Sequence, residues 1–273
     1  MQLKEKTNRW MILFTVAALL LGLGIQLALA AVRQQSNAAR ARQITEAVMQ
    51  PVLEAARERG QELEAKQKKL EKLPAQKARE LAEQHPELLL IVNPWNPLPE
   101  GYEPELQTVI EEYQMDVRCA DALWQMIQDC QAAGNAAYIC SAYRTQAVQE
   151  ELYMNKILRL LDEGVSMEDA PAVAAESVAI PGTSEHQLGL AADIIDENYP
   201  NLDEGQEQTG TQRWLMENCW RYGFILRYPN GTTDITGIIY EPWHYRYVGV
   251  DYAREITELG VTLEEYVAMR RGR

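Results

Sequence analysis

The chain has 273 residues, of which 47% are hydrophobic and 24% are charged, and its formal net charge at pH 7 is −14. This length accommodates one substantial domain with appended segments. The acidic balance excludes the broad basic surface that nucleic-acid binding needs, so we expect no nucleic-acid partner.

The first predicted element is an apolar run without a charged residue at positions 10–32, WMILFTVAALLLGLGIQLALAAV. It is long enough to cross a bilayer core of roughly 30 Å as a helix. We expect an uncleaved single-pass membrane anchor that follows a short N-terminal segment, residues 1–9. The alternative is a signal peptide, because Ala28-Leu29-Ala30 offers a small-residue cleavage site. Basic residues flank the run on both sides, so charge alone does not assign its orientation.

Residues 33–87 are rich in Ala, Glu, Gln, Lys and Arg, and we expect them to form a helical stalk or linker. Ala56, Leu63 and Leu70 recur at seven-residue spacing, which falls short of the three or four heptads that indicate a coiled coil. Self-association through the stalk is therefore an alternative to a simple spacer.

The main domain is predicted to cover residues 88–273, because the sequence changes at Leu88 to LLLIVNPWNPLPEGY, an apolar run followed by prolines. Helical spacing and capping patterns predict helices at five places: 116–134, 146–163, from 166, 211–222 and from 262. AAYICSAY predicts a strand, and GFILRYP with IIYEPWHYRYVG predicts a hairpin. The expected class is α+β, an antiparallel sheet with flanking helices.

Four cysteines are expected to be small core residues, because their spacing lacks the density of a disulfide framework. Cys119 and Cys130 fall on one predicted helix, roughly 16 Å apart along its axis, which is too far for a bridge. Cys140 and Cys219 are the one pair for which a disulfide stays open.

Asp193 lies in an apolar stretch, AADII, that is typical of a strand buried on both faces. An unpaired carboxylate there would be very costly. Two of the three histidines, His186 and His244, complete with Asp193 the number and type of protein ligands of a catalytic zinc site, and Gly189 allows the chain to turn between them. The alternative is a salt bridge from Asp193 to a core arginine. The third histidine, His85, is expected to be solvated.

Glu241 precedes His244 by three residues in the sequence EPWH. In a regular strand the two side chains would point to opposite faces, but Pro242 favours an edge or a bulge. A bulge would bring the Glu241 carboxylate beside the metal. A glutamate near zinc that does not bind it is the usual general base of metal-assisted hydrolysis. The alternative is an exposed strand acid.

Arg144 lies in SAYRT, where a predicted strand ends and a helix begins. An arginine at such a junction can offer a bidentate fork to a carboxylate or to a developing oxyanion. Taken alone, it is equally well a solvated cation.

Three motifs, in chain order, resemble the VanY-type D-alanyl-D-alanine carboxypeptidases, and the resemblance extends from about residue 88 to 250. The motifs are S-x-Y-R-T at Ser141–Thr145, S-x-H-x-x-G-x-A-x-D at Ser184–Asp193, and E-P-W-H-Y-R at Glu241–Arg246. The segments NPLP, PGTSEHQ and YGFILRYP are also similar to that family.

The resemblance implies one Zn²⁺ per chain, held by His186, Asp193 and His244. It further implies Glu241 as the catalytic base and Arg144 as a catalytic or substrate-binding residue. Two more residues match positions that line the substrate site of such enzymes: Gln149 and Ser184.

The implied substrate is the stem peptide of peptidoglycan, from which the enzyme would remove the C-terminal D-alanine. This substrate lies outside the cytoplasmic membrane, which implies a single-pass cell-membrane protein with residues 1–9 in the cytoplasm and the catalytic domain outside. Three alternatives stay open: an L,D-carboxypeptidase, a dipeptidase or endopeptidase of similar fold, and a non-catalytic wall-binding scaffold. Ligand type alone would also tolerate divalent ions other than zinc.

Overall fold

The computed structural model describes residues 85–271 and, nearer the N-terminus, positions 50, 54, 57–62, 64–66 and 68, all of which are helical. The predicted anchor at residues 10–32 lies outside this described part, as does most of the predicted stalk. Among the described residues, no helix combines the length and apolar character needed to span a bilayer. Residues 85–266 belong to one compact unit.

Two antiparallel sheets form the centre of this unit, as expected for an α+β fold. A two-stranded sheet pairs β1 with β2, and a four-stranded sheet has the order β3-β4-β6-β5. The strands are β1 Leu106–Ile110, β2 Tyr113–Asp116, β3 Ala137–Ser141, β4 Ala191–Asp196, β5 Phe224–Leu226 and β6 His244–Tyr247. The central strand β4 is buried along its whole length, in agreement with its apolar sequence.

Helices flank the sheets, and those of residues 85–271 are numbered here in chain order. They are α1 Ala120–Ala132, α2 Gln146–Asp162, α3 Ala170–Ala175, α4 Gly210–Asn218, α5 Thr233–Thr236, α6 Val250–Leu259 and α7 Leu263–Arg271. The capping box predicted at residue 262 is confirmed, because the Glu265 amide donates to Thr262 Oγ1 and the Thr262 amide donates to Glu265 Oε2. Helix α3 begins later than predicted, since Ser166 and Asp169 form a turn before it.

Two predictions were wrong, one about where a helix begins and one about how two strands are connected. The helix predicted at 116–134 begins only at Ala120, so Asp116 is not its N-cap. The Asp116 carboxylate accepts hydrogen bonds from the Arg118 amide and guanidinium at the end of β2. The predicted hairpin has paired strands, β5 and β6, but no tight turn, because residues 227–243 form a long connection that contains α5. The polar segment NGTTDITG between the two strands therefore contains a helix rather than a hairpin loop.

The main apolar core packs α1 against one face of the four-stranded sheet. Ala192 and Ile194 of β4 join Leu123 and Met126 of α1 in this core, and all four are fully buried. Because side chains alternate along a strand, Asp193 points to the other face. The same core contains Cys119, Cys130 and Cys219. Each of the four cysteines is a free thiol in the described chain, so a bridge between Cys140 and Cys219 is not formed.

Strand register places the polar residues of the opposite face together. Asp193 of β4 is paired with His244 at the start of β6 and, on its other side, with Ser141 at the end of β3. Directly opposed residues of antiparallel strands project from the same face, with Cβ atoms about 5 Å apart. The sheet thus fixes the distance between Asp193 and His244.

Gly189 allows the chain to turn between His186 and β4. Its φ angle is +72°, and a Cβ atom there would lie 3.2 Å from the Asp116 amide nitrogen and 3.2 Å from Pro104 Cβ. We expect Gly189→Ala to lower the free energy of unfolding by more than the roughly 1–2 kcal/mol that the left-handed conformation costs an L-residue. Denaturant titration measures the loss.

Gly231→Ala is the matched control, because Gly231 has a φ of +76° but a Cβ atom added there would meet no described atom within 4 Å. It carries the conformational cost without the crowding. Equal losses in the two variants would contradict the claim that Gly189 is needed for the close approach to Asp116.

Candidate metal centre

Three side chains from two parts of the sequence meet on the face of the sheet opposite the main core. One ligand atom from each of His186, Asp193 and His244 lies within 4.8 Å of the others. His186 Nε2 is 3.2 Å from Asp193 Oδ2, and His244 Nδ1 is 3.1 Å from Asp193 Oδ1. The two imidazole rings stand at 87° to each other, with centroids 4.9 Å apart. The structure therefore brings the three predicted metal ligands together.

His186 is oriented by the backbone. It lies in a 3₁₀ turn, Glu185–Leu188, between the predicted Ser184 and Gly189. Its Nδ1 is 2.7 Å from the carbonyl oxygen of Ala142, and a nitrogen facing a carbonyl must donate. Nε2 is then the unprotonated nitrogen and directs its lone pair toward Asp193. Metal-binding histidines commonly have this arrangement, in which the ring nitrogen that does not bind the metal donates to a backbone carbonyl.

Electrostatics make the group suitable for a cation. Burial would raise the pKa of Asp193, but the neighbouring His186, His244 and Arg144 hold it well below its usual range, so the carboxylate is ionised. Burial and the charge of Arg144 lower the pKa of His186 to about 4, so this imidazole is neutral. Asp193 Oδ1 is buried and makes no hydrogen bond within the described structure. A buried carboxylate oxygen and an imidazole lone pair that face each other fit a bound divalent cation.

His244 contributes the second imidazole. Burial lowers its pKa, but the neighbouring carboxylates of Asp193, Glu185 and Glu241 outweigh burial and raise the pKa to about 9. The His244 imidazole packs against the Tyr228 ring, with centroids 4.7 Å apart. His85 takes no part in the group of three ligands; its side chain is about half exposed, and Nδ1 lies 3.2 Å from Glu87 Oε1.

Glu241 lies beside the ligands, as predicted, with Oε2 3.6 Å from His244 Nδ1. Burial raises the pKa of Glu241 to about 8, although the charge of His244 opposes this shift. The predicted bulge was wrong. A turn at Pro242 and Trp243, in which the His244 amide donates to the Glu241 carbonyl, places both side chains on one side. Proline at the second position of a β-turn is common, because its fixed φ suits the turn.

Arg144 contacts Asp193 directly, since Nη2 lies 2.6 Å from Asp193 Oδ2. Its Nε donates to Ser141 Oγ at 2.8 Å. Both explanations offered for the buried Asp193 thus apply together, because it faces two imidazoles and also pairs with an arginine. Arg144 lies where β3 has ended and α2 is about to begin, as the sequence predicted.

Gln149 and Ser184, the two predicted substrate contacts, are both buried. Gln149 Nε2 donates to the Ala179 carbonyl at 2.7 Å, and its Oε1 accepts from Arg144 Nη1 at 3.4 Å. These contacts place Gln149 behind Arg144, where it supports the guanidinium. Ser184 immediately precedes the 3₁₀ turn of His186. Contact of either residue with substrate stays a prediction.

A groove of about 320 Å³ adjoins Arg144. Its walls combine apolar and polar side chains from the NPLP segment and from the two motifs around Arg144 and His186. They include Pro97, Leu98, Tyr102, Tyr143, Arg144 and Gln187. A peptide in this groove would lie next to the guanidinium of Arg144.

The sequence reasoning missed a group of buried charges behind His244. Glu185, Arg227 and Arg246 have side chains that are 0% exposed and lie in direct ionic contact. The available signal was the position of the two arginines, each inside an otherwise apolar and aromatic segment, FILRYP and HYRYVG. A charge in such a setting needs a buried partner.

A family model described as "VanY: D-alanyl-D-alanine carboxypeptidase" matches residues 112–250. The chain belongs to the VanY family. A D-alanyl-D-alanine carboxypeptidase of Enterococcus faecalis (strain ATCC 700802 / V583) is 41% identical over 192 residues, which cover 70% of this chain and 69% of the relative.

Solved structures similar to this chain have the same fold. VanYB in complex with D-alanine-D-alanine has a TM-score of 0.61 and 40% identity, and the match covers 66% of this chain and 97% of that chain. A mutant of the vancomycin resistance D,D-pentapeptidase VanY in complex with Zn(II) has a TM-score of 0.60 and 40% identity, and the match covers 66% of this chain and 98% of that chain. The LdcB LD-carboxypeptidase has a TM-score of 0.56 and 35% identity, and the match covers 66% of this chain and 85% of that chain.

These similarities confirm the predicted family and the predicted enzyme class, a zinc-dependent carboxypeptidase of the VanY type. Zinc in a VanY relative, together with the three converging ligands of this chain, confirms the predicted cofactor. The α+β fold is likewise confirmed by VanYB.

Proposed function

We propose that this protein is a D,D-carboxypeptidase that removes the C-terminal D-alanine from peptidoglycan stem peptides. The observation that carries the proposal is the meeting of His186, Asp193 and His244 within 4.8 Å, with the buried Glu241 carboxylate next to them. The substrate class is supported by the E. faecalis carboxypeptidase and by VanYB with D-alanine-D-alanine.

His186 Nε2, His244 Nδ1 and an oxygen of Asp193 would hold the zinc. When bound, zinc polarises the scissile carbonyl and makes water acidic enough to lose a proton near neutral pH. Glu241 accepts that proton at its carboxylate and later gives it to the leaving amine of D-alanine. Burial raises the pKa of this carboxyl above its ordinary value, which makes the ionised form a stronger base and the protonated form able to donate to the leaving amine.

Arg144 stabilises negative charge that develops on the carbonyl oxygen or holds the peptide. Its guanidinium is fixed by Ser141 and Gln149 and borders the groove, so little reorganisation is needed when charge develops. The groove beside it accommodates the residues that precede the scissile bond.

A second candidate is an L,D-carboxypeptidase or a dipeptidase acting on the same wall peptides. The likeness to the LdcB LD-carboxypeptidase favours it, since that enzyme shares 35% identity and the same fold. A non-catalytic wall-binding scaffold is less consistent with the site. A structural zinc site normally has four protein ligands, and the group found among the described residues has three.

We further propose that residues 10–32 anchor the protein in the cell membrane with residues 1–9 in the cytoplasm. The uncharged length of that run supports an anchor. Residues 33–87 would then space the catalytic domain, residues 88–273, away from the bilayer, and a stalk of this composition also allows self-association. The substrate supports the extracytoplasmic side, because wall peptides are outside the membrane.

Incubation of the full chain with tri-, tetra- and pentapeptide stems, followed by mass spectrometry of the products, tests the proposed function. We expect loss of one D-alanine from the pentapeptide, abolition by a chelator, and recovery when zinc is restored. Cleavage of the tetrapeptide alone would replace the proposal with the L,D-carboxypeptidase. No cleavage of any stem by the zinc-loaded chain would overturn the hydrolase assignment.

A further inference from the structure

Glu185 is a buried acid between two residues of the candidate site, Ser184 and His186, and the mechanism above does not use it. Its carboxylate oxygen Oε1 accepts a hydrogen bond from Arg227 Nε at 2.8 Å and also lies 2.8 Å from Arg246 Nη1. Both ionic contacts therefore involve the same oxygen. The second oxygen, Oε2, remains available for another partner.

Glu185 Oε2 faces His244. The distance from Oε2 to His244 Nε2 is 3.8 Å, longer than the usual N–H···O bond of about 2.9 Å. Both atoms are completely buried, and neither has a hydrogen-bond partner among the residues that the structure describes. A buried donor and a buried acceptor that face each other at this distance each avoid a desolvation penalty if a small rotation joins them.

We infer that Glu185 is a positioning residue that accepts a hydrogen bond from a protonated Nε2 of His244 and thereby turns the lone pair of His244 Nδ1 toward the metal. This inference rests on the proposed zinc site. Metal-binding histidines commonly donate their second N–H to a carboxylate, which fixes the tautomer and the ring orientation. Glu185 would serve His244 as the Ala142 carbonyl serves His186.

Two arginines hold Glu185 rigidly enough for this role. Arg227 is fixed by Glu264, with its Nη1 and Nη2 at 2.9 and 2.7 Å from the two carboxylate oxygens. Its guanidinium carbon also lies 4.9 Å from the centre of the Tyr228 ring, which in turn packs on His244. The same chain of contacts therefore fixes both the acceptor and the ring that it orients.

Arg246 is held from the other side by main-chain oxygens. Its Nη2 donates to the carbonyls of Leu88 and Leu90, at 3.1 and 3.0 Å. Two buried arginines and two carboxylates compensate one another in charge, which makes their burial tolerable. Burying such a cluster costs desolvation free energy, but a buried polar network whose members are all paired is rigid. This rigidity keeps the Glu185 carboxylate in place.

The two candidate histidine ligands would differ in which ring nitrogen carries the proton. His186 donates from Nδ1 and would bind metal through Nε2, whereas His244 would donate from Nε2 and bind through Nδ1. The two ligands would then be opposite tautomers. The chain contains only one other histidine, His85, so nitrogen signals from selectively labelled histidine can be assigned with few variants.

The first test is nitrogen-15 NMR of the zinc-loaded full chain labelled at histidine. We expect a protonated Nδ1 on His186 and a protonated, slowly exchanging Nε2 on His244. A His244 that carries its proton on Nδ1 would overturn the inference. The tautomers are read from the wild-type chain, and variants serve only to assign the three histidine signals.

The second test compares the zinc affinities of Glu185→Gln and wild type by competition with a chromophoric chelator. We expect about 10- to 100-fold weaker binding and faster exchange of the His244 Nε2 proton. Asp116→Asn is the matched control, because Asp116 is also a buried carboxylate bound to an arginine, Arg118, but does not belong to the ligand group. It should lose stability and keep its zinc affinity.

Unchanged zinc affinity in Glu185→Gln would overturn the positioning role, and so would an equal loss in Asp116→Asn, which would indicate a general structural effect. The proposed function fails in a different way. If wild type binds no zinc, or cleaves stem peptides regardless of chelator, the metal centre itself is refuted. If wild type depends on zinc and Glu185→Gln binds zinc equally well, only the positioning role of Glu185 is refuted.

Discussion

Glu241→Gln is expected to lower kcat for D-alanine release by about 10²- to 10⁴-fold, the usual contribution of a positioned general base. Gln has nearly the same shape as Glu, but it cannot take a proton from water at neutral pH. Zinc should stay bound, because Glu241 is not one of the three converging ligands. Steady-state release of D-alanine and the zinc content of the purified variant measure the two effects.

The combination of the two results distinguishes the role of Glu241. Loss of both zinc and activity would make Glu241 a metal ligand, and full activity would exclude it as the base. Glu176→Gln is a useful control, because Glu176 lies just after α3 and the hydrogen bonds described for it use only its main-chain atoms, which contact Val173 and Ile239. It should keep both zinc and kcat.

The convergence of the three candidate ligands was predictable from sequence because short motifs contain them. His186, Gly189 and Asp193 lie within eight residues, and their spacing already contains the turn that brings the histidine back over the strand. Glu241 and His244 lie within four. The cross-strand pairing of Asp193 with His244 then follows from an antiparallel sheet, in which a single register joins the two motifs.

The outer contacts were not predictable in the same way. Arg227 and Glu264 are 37 residues apart, and Arg246 Nη2 reaches the Leu90 carbonyl across 156 residues. No local pattern specifies such partners, because they depend on how β5, β6 and the chain near residue 90 pack together. An arginine in an apolar segment indicates that a partner exists but does not identify it.

The backbone near Glu241 is a second feature that the sequence did not determine. Pro242 indicated correctly that the strand could not be regular, but it is compatible with both a bulge and a turn. The structure has the turn, closed by the hydrogen bond from His244 N to Glu241 O. Side-chain proximity was therefore predicted correctly from an incorrect local geometry.

Asp193→Asn is expected to abolish stoichiometric zinc binding and hydrolysis together. An amide keeps the shape of the side chain but removes the negative charge that faces two imidazoles and Arg144. The guanidinium of Arg144 is then left beside the site without its ionic partner, so we expect the metal-free variant to lose about 3 kcal/mol in free energy of unfolding. Zinc content, peptide turnover and denaturant titration give the three readouts.

Asp196→Asn is the matched control on the same strand. Asp196 is also buried, but it lies an odd number of residues from Asp193 and so projects from the other face of β4, where Thr211 donates to its Oδ2 at 2.7 Å. This variant should lose stability through that hydrogen bond and retain zinc. If Asp193→Asn binds zinc as tightly as Asp196→Asn, the carboxylate of Asp193 is not a ligand, and its burial is explained by the ion pair with Arg144 alone.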